Sequence, residues 1–178
     1  MGYSPFVEEK CKQREVEVCG PSESCRHSLW AVEHFQAWVA DQEPDIVHFN
    51  FGLHDSLIRE GDHQIIPDQY RLCLKRFIAK VKALGNTKMI WAATTPLYEP
   101  EEGVPMAQWQ FRPEREIAKY NAVALEVVRD EGLAVNDLHE IIIRNDFSKC
   151  LTAGGCHMTD FGNEVLSDAV VEAITSCT

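Results

Sequence analysis

The sequence predicts a single α/β domain, in which short apolar strands alternate with longer amphipathic helices. Four segments carry apolar residues at the helical period of 3.6, and each follows an apolar run of strand length. The 178 residues suit one domain with one continuous core, and no repeat, linker or low-complexity tract divides them. Continuous apolar runs favour parallel strands that helices cover on both faces.

The first two predicted helices have recognisable ends. The first begins at Ser28, a residue type that suits an N-cap, and ends before Pro44. The second begins near Pro67, because proline is favoured in the first turn of a helix. Gly85 suits the C-terminal cap of the second helix.

The other two helices lie in the second half of the chain. The third begins near Pro113, and Gly132 closes it. The fourth follows Thr159 and has an apolar stripe along its length. The stretch from Leu97 to Arg112 is rich in proline, glutamate and aromatic residues, and we expect a long loop there that overhangs the site.

The predicted strands are the apolar runs Ile46 to Phe51, Met89 to Ala93 and Leu133 to Val135, and a weaker alternating run at Val16 and Val18. Strands and helices therefore alternate four times along the chain. In open parallel sheets of this kind, ligands bind outside the carboxyl ends of the strands. We expect functional residues directly after each strand.

Composition excludes several classes of function. The net charge of −11 and the scattered Lys and Arg residues argue against nucleic-acid binding. No apolar segment approaches the roughly 20 residues that span a bilayer. Seven cysteines without a CxxC pair, and the lack of a secretory signal pattern, predict a reduced, cytoplasmic protein with free thiols.

Two polar clusters stand where chemistry is expected. Asn50, Gly52, His54 and Asp55 directly follow the first long apolar run. His157 lies in a glycine-rich loop just before the last helix. Each cluster also has a simpler interpretation: Gly52 and Asp55 suit a turn and a cap, and an isolated histidine is usually structural or solvated.

Taken together, these clusters resemble the sequence blocks of SGNH (GDSL-like) hydrolases. The segments from Pro44 to Asp55 and from Leu151 to Gly162 resemble the third and fifth blocks of that family. The segment from Cys19 to Ser28 is similar to the second block, and Arg115 to Ala124 resembles the helix before the last strand. The resemblance implies a three-layer α/β/α sandwich with a mostly parallel, flavodoxin-like sheet, and hydrolysis of carboxylic esters without a cofactor.

The resemblance also implies roles for individual residues. His157 takes the position of the general base. His54 stands where the family more often has an asparagine that donates to the oxyanion, and Asp55 is the aspartate that usually follows. Asn50 belongs to the same block as a candidate catalytic residue, and Gly52 as a candidate substrate-binding residue. Backbone N–H groups around Arg26 are a further candidate oxyanion donor, at a position where the family usually has glycine.

Two features of the family's triad have no equivalent here. The aspartate that orients the histidine stands three residues before it in the family, and that position is Gly154. The family's first block is a strand ending in Gly-Asp-Ser, and residues 1–178 contain no match to it. That strand is the central one in the order 2-1-3-4-5, so a sheet without it has a gap.

The remaining serines do not take the place of the nucleophile. Ser4, Ser22, Ser24 and Ser28 all match positions downstream of it. Ser28 is better interpreted as a helix cap, and Ser22 and Ser24 as turn residues. The gap in the sheet predicts that the run from Val16 to Val18 moves in beside the Ile46 strand, or that a neighbouring chain pairs there in a homo-oligomer.

Three functions are therefore compatible with the sequence. The first is an esterase whose sequence begins at the wrong methionine or whose activity rests on a substitute nucleophile, and the second is a non-catalytic descendant that retains the pocket to bind a small-molecule ligand. The third alternative is a metal site formed by His54, Asp55, Cys156 and His157, although their spacing matches no known zinc pattern. The acyl group and the alcohol of an ester substrate are not specified by these residues.

Overall fold

A computed structural model describes residues 2–97, 114–152 and 155–177, except for the side chain of Arg59. The predicted long loop lies outside the described residues apart from its first residue, Leu97, and Gly154 lies outside them too. The strands are β1 (Ile46–Phe49), β2 (Ile58–Arg59), β3 (Asp62–His63), β4 (Lys88–Ala92) and β5 (Ala134–Asn136). The helices are α1 (Ser4–Lys12), α2 (Ser28–Glu33), α3 (Phe35–Trp38), α4 (Pro67–Lys82), α5 (Glu114–Asp130), α6 (Leu138–Arg144), α7 (Phe147–Cys150) and α8 (Asp160–Cys177).

The main sheet confirms the predicted α/β class. Its described strands are parallel and stand in the order β1-β4-β5, with Ile46 opposite Lys88 and Ile90 opposite Ala134. The short strands β2 and β3 form a separate antiparallel hairpin. The predicted strand from Val16 to Val18 is wrong, because these residues have no strand structure. β1 is therefore an edge of the sheet as described.

Helices cover both faces of this sheet, as the three-layer prediction requires. On one face, α2 to α5 pack against Val47, Phe49 and Trp91. On the other face, α1, α6 and α8 enclose a second apolar cluster that includes Ala92. Side chains of successive strand residues point to opposite faces, which explains how one short strand serves both clusters.

The predicted first helix is divided into two short helices and a 3₁₀ turn at Ala40–Gln42. His34 leaves the helical region at φ −94° and ψ 7°, and Val39 does so at φ −128°. Ser28 is not the cap that the sequence suggested. The cap is His27, whose Nδ1 accepts a hydrogen bond from the backbone N–H of Trp30 at 3.2 Å.

The other three predicted helices correspond to α4, α5 and α8, while α1 was not predicted. Its nine residues are too few for a convincing helical period, and tertiary contacts hold it. Val7 and Cys11 are buried in the cluster that also contains residues of α8. Lys10 pairs at 2.6 Å with both Glu164 and Asp168 of α8. Within the described ranges, no helix is long and apolar enough to cross a membrane.

The contact between α7 and α8 gives a first testable prediction. A Cβ atom added at Gly162 would lie 2.3 Å from the backbone carbonyl oxygen of Cys150, so the two helices approach too closely for any side chain there. We expect Gly162→Ala to lower the free energy of unfolding by about 2–3 kcal/mol, measured by urea denaturation. Gly20→Ala is the matched control, because an added Cβ at Gly20 meets no atom within 4 Å. Equal stability of both variants would show that α7 moves aside without cost.

Candidate active site

A cavity of about 460 Å³ lies beside β1. It is lined by β1 and the loop after it, by the start of α1, by residues 19–26, and by parts of α2 and α3. Four of the six residues that the sequence proposed for the site line this cavity: Arg26, Asn50, Gly52 and His54. Asp55 and His157 do not line it. The cavity is therefore the candidate active site.

The loop after β1 is fixed from two sides. Its carbonyl at Phe51 accepts hydrogen bonds from the hydroxyls of Tyr70 at 2.8 Å and Thr94 at 3.0 Å. Gly52 adopts φ +135°, and a Cβ atom there would lie 2.5 Å from Oγ1 of Thr94. Only glycine fits this backbone conformation and this close approach. The loop thus holds a defined shape beside the cavity.

Asp55 ties the same loop to the beginning of α2. Its side chain is fully buried and accepts hydrogen bonds from the backbone N–H of Ser28 at 3.0 Å, from Oγ of Ser28 at 2.5 Å, and from the backbone N–H of Gly52 at 3.1 Å. Burial raises the pKa of this carboxyl, while the hydrogen bonds from Ser28 and Gly52 act in the opposite direction. Both carboxylate oxygens of Asp55 are therefore occupied by hydrogen bonds that hold the loop to α2.

Asn50 joins the ends of β1 and β4. Its Nδ2 donates to the carbonyl oxygen of Ala92 at 2.6 Å and contacts Oγ1 of Thr94 at 3.3 Å. The backbone of Thr94 is held in turn by Asn121, which accepts from its N–H and donates to its carbonyl, both at 2.9 Å. Sequence reasoning did not propose Thr94, although a polar residue directly after β4 is the signal that finds it. Asn50 and Thr94 form one network with the loop after β1.

His48 is a second residue that sequence reasoning missed. It lies on β1, lines the cavity, and its Nε2 faces Nδ2 of Asn136 at 3.2 Å. The same Nδ2 donates to the carbonyl of Ala169 at 3.3 Å, so the amide is the donor to a neutral imidazole. Burial lowers the pKa of His48 to about 4. The signal in the sequence was a histidine inside an otherwise apolar strand.

Among the described residues that line the cavity, Arg26 supplies the one full positive charge. Its guanidinium lies over the ring of Trp30, 4.5 Å from the centroid, which is cation–π geometry. Its backbone has φ +51°, a left-handed conformation that favours glycine, as the family's usual residue would suggest. The backbone N–H of Arg26, the candidate oxyanion donor, donates to Oγ of Ser24 at 3.2 Å.

His54 and His157 stand in different surroundings. His54 is half-buried and lines the cavity. The side chain of His157 is exposed, and no side chain of the described residues bonds to its ring. The carboxylate of Asp137 caps α6 by accepting from the N–H of Glu140 at 3.1 Å, and Asp160 is exposed at the start of α8.

The loop that carries His157 is nevertheless well anchored. Leu151 and Met158 form an antiparallel bridge across it. The carbonyl of His157 accepts from the N–H of Thr152 at 2.8 Å and from its hydroxyl at 3.1 Å. Thr159 donates its hydroxyl to the carbonyl of Lys149 at 2.6 Å. Tertiary hydrogen bonds therefore position the backbone at His157.

The serines near the site and the candidate metal ligands also have defined positions. Ser4 and Ser24 line the cavity, whereas Ser28 is fully buried against Asp55. Among residues 2–97, 114–152 and 155–177, no three His, Cys, Asp or Glu side chains are grouped so that they could hold a metal ion. The cavity therefore offers hydroxyl, imidazole and amide groups together with one guanidinium.

Comparison with known proteins agrees with this fold. A family model described as the GDSL-like lipase/acylhydrolase family matches residues 9–165. No curated protein sequence gives a significant match. A lipase/acylhydrolase from Enterococcus faecalis superposes with a TM-score of 0.75 at 22% identity, over 98% of this chain and 85% of the other.

Two acetylxylan esterases have similar structures. One superposes with a TM-score of 0.77 at 18% identity, over 97% of this chain and 90% of the other. The esterase Axe2 from Geobacillus stearothermophilus gives 0.73 at 18% identity, over 98% and 81%. These likenesses establish the fold. Because the family model spans most of the residues, the chain belongs to the GDSL-like lipase/acylhydrolase family.

Proposed function

We propose that the cavity beside β1 binds carboxylic esters and that the chain is a carboxylic ester hydrolase, whose turnover by residues 1–178 alone is very low. One observation carries this proposal. Arg26, Asn50, Gly52 and His54 come from two separate blocks of the sequence, and all four line one cavity. A cavity of about 460 Å³ is large enough for a small ester, since ligand pockets typically occupy about 300–1,000 Å³.

The chemistry of ester hydrolysis assigns different tasks to these groups. A nucleophile attacks the carbonyl carbon, a base takes its proton, and N–H donors stabilise the oxyanion. An imidazole N–H of His54 is the candidate donor in the cavity, and His157 is the candidate base. The backbone N–H of Gly52 is already bonded to Asp55, so it contributes little to the oxyanion.

We expect low turnover because the nucleophile and the carboxylate that orients the base have no clear equivalent among the described residues. Ser28 donates its hydroxyl to Asp55 and is fully buried, so it cannot reach a substrate. His157 has no carboxylate partner among the described residues, and a histidine without its nucleophile and orienting group contributes little. Ester binding in the cavity does not depend on either group.

The proposal is tested by two measurements on one protein. We expect p-nitrophenyl acetate to be hydrolysed less than about tenfold faster than in buffer, with no change in His157→Ala. An acetyl ester is a reasonable probe because two of the structural neighbours are acetylxylan esterases. We expect phenyl acetate to change the tryptophan fluorescence, because Trp38 lines the cavity, and the change should vanish in Trp38→Phe.

The outcomes separate the proposal from its competitor. Fast turnover that disappears in His157→Ala would contradict the low activity and show that another nucleophile has been recruited. A cavity that binds no ester, while the protein remains folded, would contradict the ester proposal. The second candidate is a non-catalytic protein that binds another small molecule, and the use of Ser28 and Asp55 inside the fold favours it over a metal site.

A further inference from the structure

The imidazole of His48 is a polar group on β1 that the proposed hydrolysis does not use. Its neighbours Val47 and Phe49 are buried in the apolar cluster under α2 to α5. Because successive side chains of a strand point to opposite faces, the ring of His48 lies on the face that α1, α6 and α8 cover. There it contacts Asn136. Each ring nitrogen in such a place requires a hydrogen-bond partner, from the protein or from a bound molecule.

Nε2 of His48 is an acceptor, and this determines the tautomer of the ring. Nδ2 of Asn136, on β5, lies 3.2 Å from Nε2. An amide NH₂ group only donates, and the same Nδ2 also donates to the carbonyl of Ala169, so Nε2 carries no proton. A neutral imidazole has one N–H, which here is on Nδ1. His48 therefore presents Nδ1 as a hydrogen-bond donor.

The N–H at Nδ1 is accessible from the cavity beside β1. β4 separates β1 from β5, so Nε2 points across the sheet, while Nδ1, which is bonded to Cγ, is the ring nitrogen nearer to the backbone of β1. His48 lines the cavity, and no group of the described residues bonds to its Nδ1. Nδ1 is not sealed inside the fold, because the buried side-chain N and O atoms without a partner belong, within the described ranges, to Trp30, Gln64, Trp91 and Asn163. A molecule in the cavity can therefore accept this proton.

This donor is uncharged at neutral pH. Burial lowers the pKa of His48 to about 4, so the ring is neutral at pH 7. A neutral N–H can donate to the oxygen of an uncharged carbonyl, whereas a buried imidazolium would need a negative charge beside it. No aspartate or glutamate of the described residues lines the cavity to supply one. The chemistry of the donor therefore suits an uncharged carbonyl group.

We propose that His48 is a specificity-determining residue of the cavity, whose Nδ1–H donates a hydrogen bond to the carbonyl oxygen of the bound ester. Asn136 is a positioning residue, because it holds the ring in the tautomer that places the proton on Nδ1. This inference rests on the proposed binding of esters and names the group that recognises the acyl carbonyl. His48 binds the substrate and takes no part in proton transfer, since its one proton stays on Nδ1.

Nitrogen-15 NMR of the histidine-labelled chain tests the donor without a ligand. At pH 7 we expect His48 to be neutral, with a protonated Nδ1 and an unprotonated Nε2, and the His48→Gln variant identifies its signals. Saturating phenyl acetate should shift the Nδ1–H resonance. A proton found on Nε2 would overturn the proposal, and so would an Nδ1–H resonance that does not move while the ligand is bound.

Two ligands of similar size separate carbonyl recognition from binding in general. Phenyl acetate has a carbonyl group, and ethoxybenzene has a methylene group in its place. The fluorescence of Trp38, which lines the cavity, gives both dissociation constants. We expect the preference for phenyl acetate over ethoxybenzene to fall about fivefold in His48→Met, which removes both ring nitrogens. A merely structural role of His48 would weaken both ligands by the same factor and leave their ratio unchanged.

Further variants assign the effect to one side chain. Gln42→Met is the matched control, because it removes another polar side chain that lines the cavity, and it should keep the wild-type ratio. A ratio that falls in His54→Met and not in His48→Met would overturn the proposal and make His54 the donor. Wild-type protein that binds neither ligand would contradict the ester proposal together with this inference. Binding of both ligands with an unchanged ratio in His48→Met would overturn the role of His48 alone.

Discussion

Replacing Asp55 with alanine is expected to lower the free energy of unfolding by about 3–5 kcal/mol. The substitution removes the acceptor of three hydrogen bonds and leaves the N–H and hydroxyl of Ser28 and the N–H of Gly52 buried without partners. It also releases the loop after β1 from the start of α2. Urea denaturation followed by circular dichroism measures the change.

Two further variants show whether the effect comes from these hydrogen bonds. Asp55→Asn keeps one acceptor oxygen for Ser28 but turns an NH₂ group toward Gly52, so we expect an intermediate loss. Asp41→Ala removes an exposed carboxylate that accepts one hydrogen bond from Gln36, and should change stability by less than about 0.5 kcal/mol. If Asp55→Ala were as stable as Asp41→Ala, the buried network would not hold the loop.

Lowering the pH is expected to destabilise the protein through His48. Its pKa is lowered by burial to about 4 in the folded chain, against 6.5 for an exposed imidazole, so the unfolded chain binds the proton more tightly. Stability from the neutral ring is fully present above pH 6.5 and is lost as the pH falls toward about 4. The two pKa values correspond to a loss of about 3 kcal/mol.

Urea denaturation of the wild type and of His48→Gln at several pH values separates the contribution of His48 from that of the acidic residues. His48→Gln keeps an oxygen that can accept from Asn136 but does not titrate, so its stability should fall less steeply from pH 7 to pH 4. His157→Gln, which makes the same substitution at an exposed histidine, is the matched control for the exchange itself. Parallel profiles for the wild type and His48→Gln would mean that the folded protein accepts a proton at His48 without cost.

The parts of the fold that could be predicted are those with a strong local pattern. Helices α4, α5 and α8 are long and amphipathic, and β1 and β4 are nearly continuous apolar runs, so local pattern and tertiary structure agree. The break after α2 could not be predicted, since the apolar period continues through His34. The run from Val16 to Val18 alternates like a strand but finds no neighbouring strand among the described residues.

The sequence predicted which loop forms the candidate site, but not the hydrogen bonds that fix that loop. The sequence indicated the loop after β1, and the cavity lies there. It could not indicate that Asp55 bonds to Ser28, 27 residues away, because only the folded chain brings them together. Thr94 and Asn136 were missed for the same reason, since their roles arise from contacts across the sheet. The roles that the resemblance implies for His54 as oxyanion donor and His157 as general base stay predictions.

The anchored loop around His157 has an entropic consequence. Hydrogen bonds from Thr152 to the carbonyl of His157, and from Thr159 to residues of α7, hold the chain on both sides of the exposed ring. The imidazole therefore retains freedom mainly in its two side-chain torsions. A partner that binds this ring would restrict few rotamers and no long segment of backbone, and so would incur only a small ordering cost. An exposed histidine on a fixed backbone is in this sense already prepared for a partner.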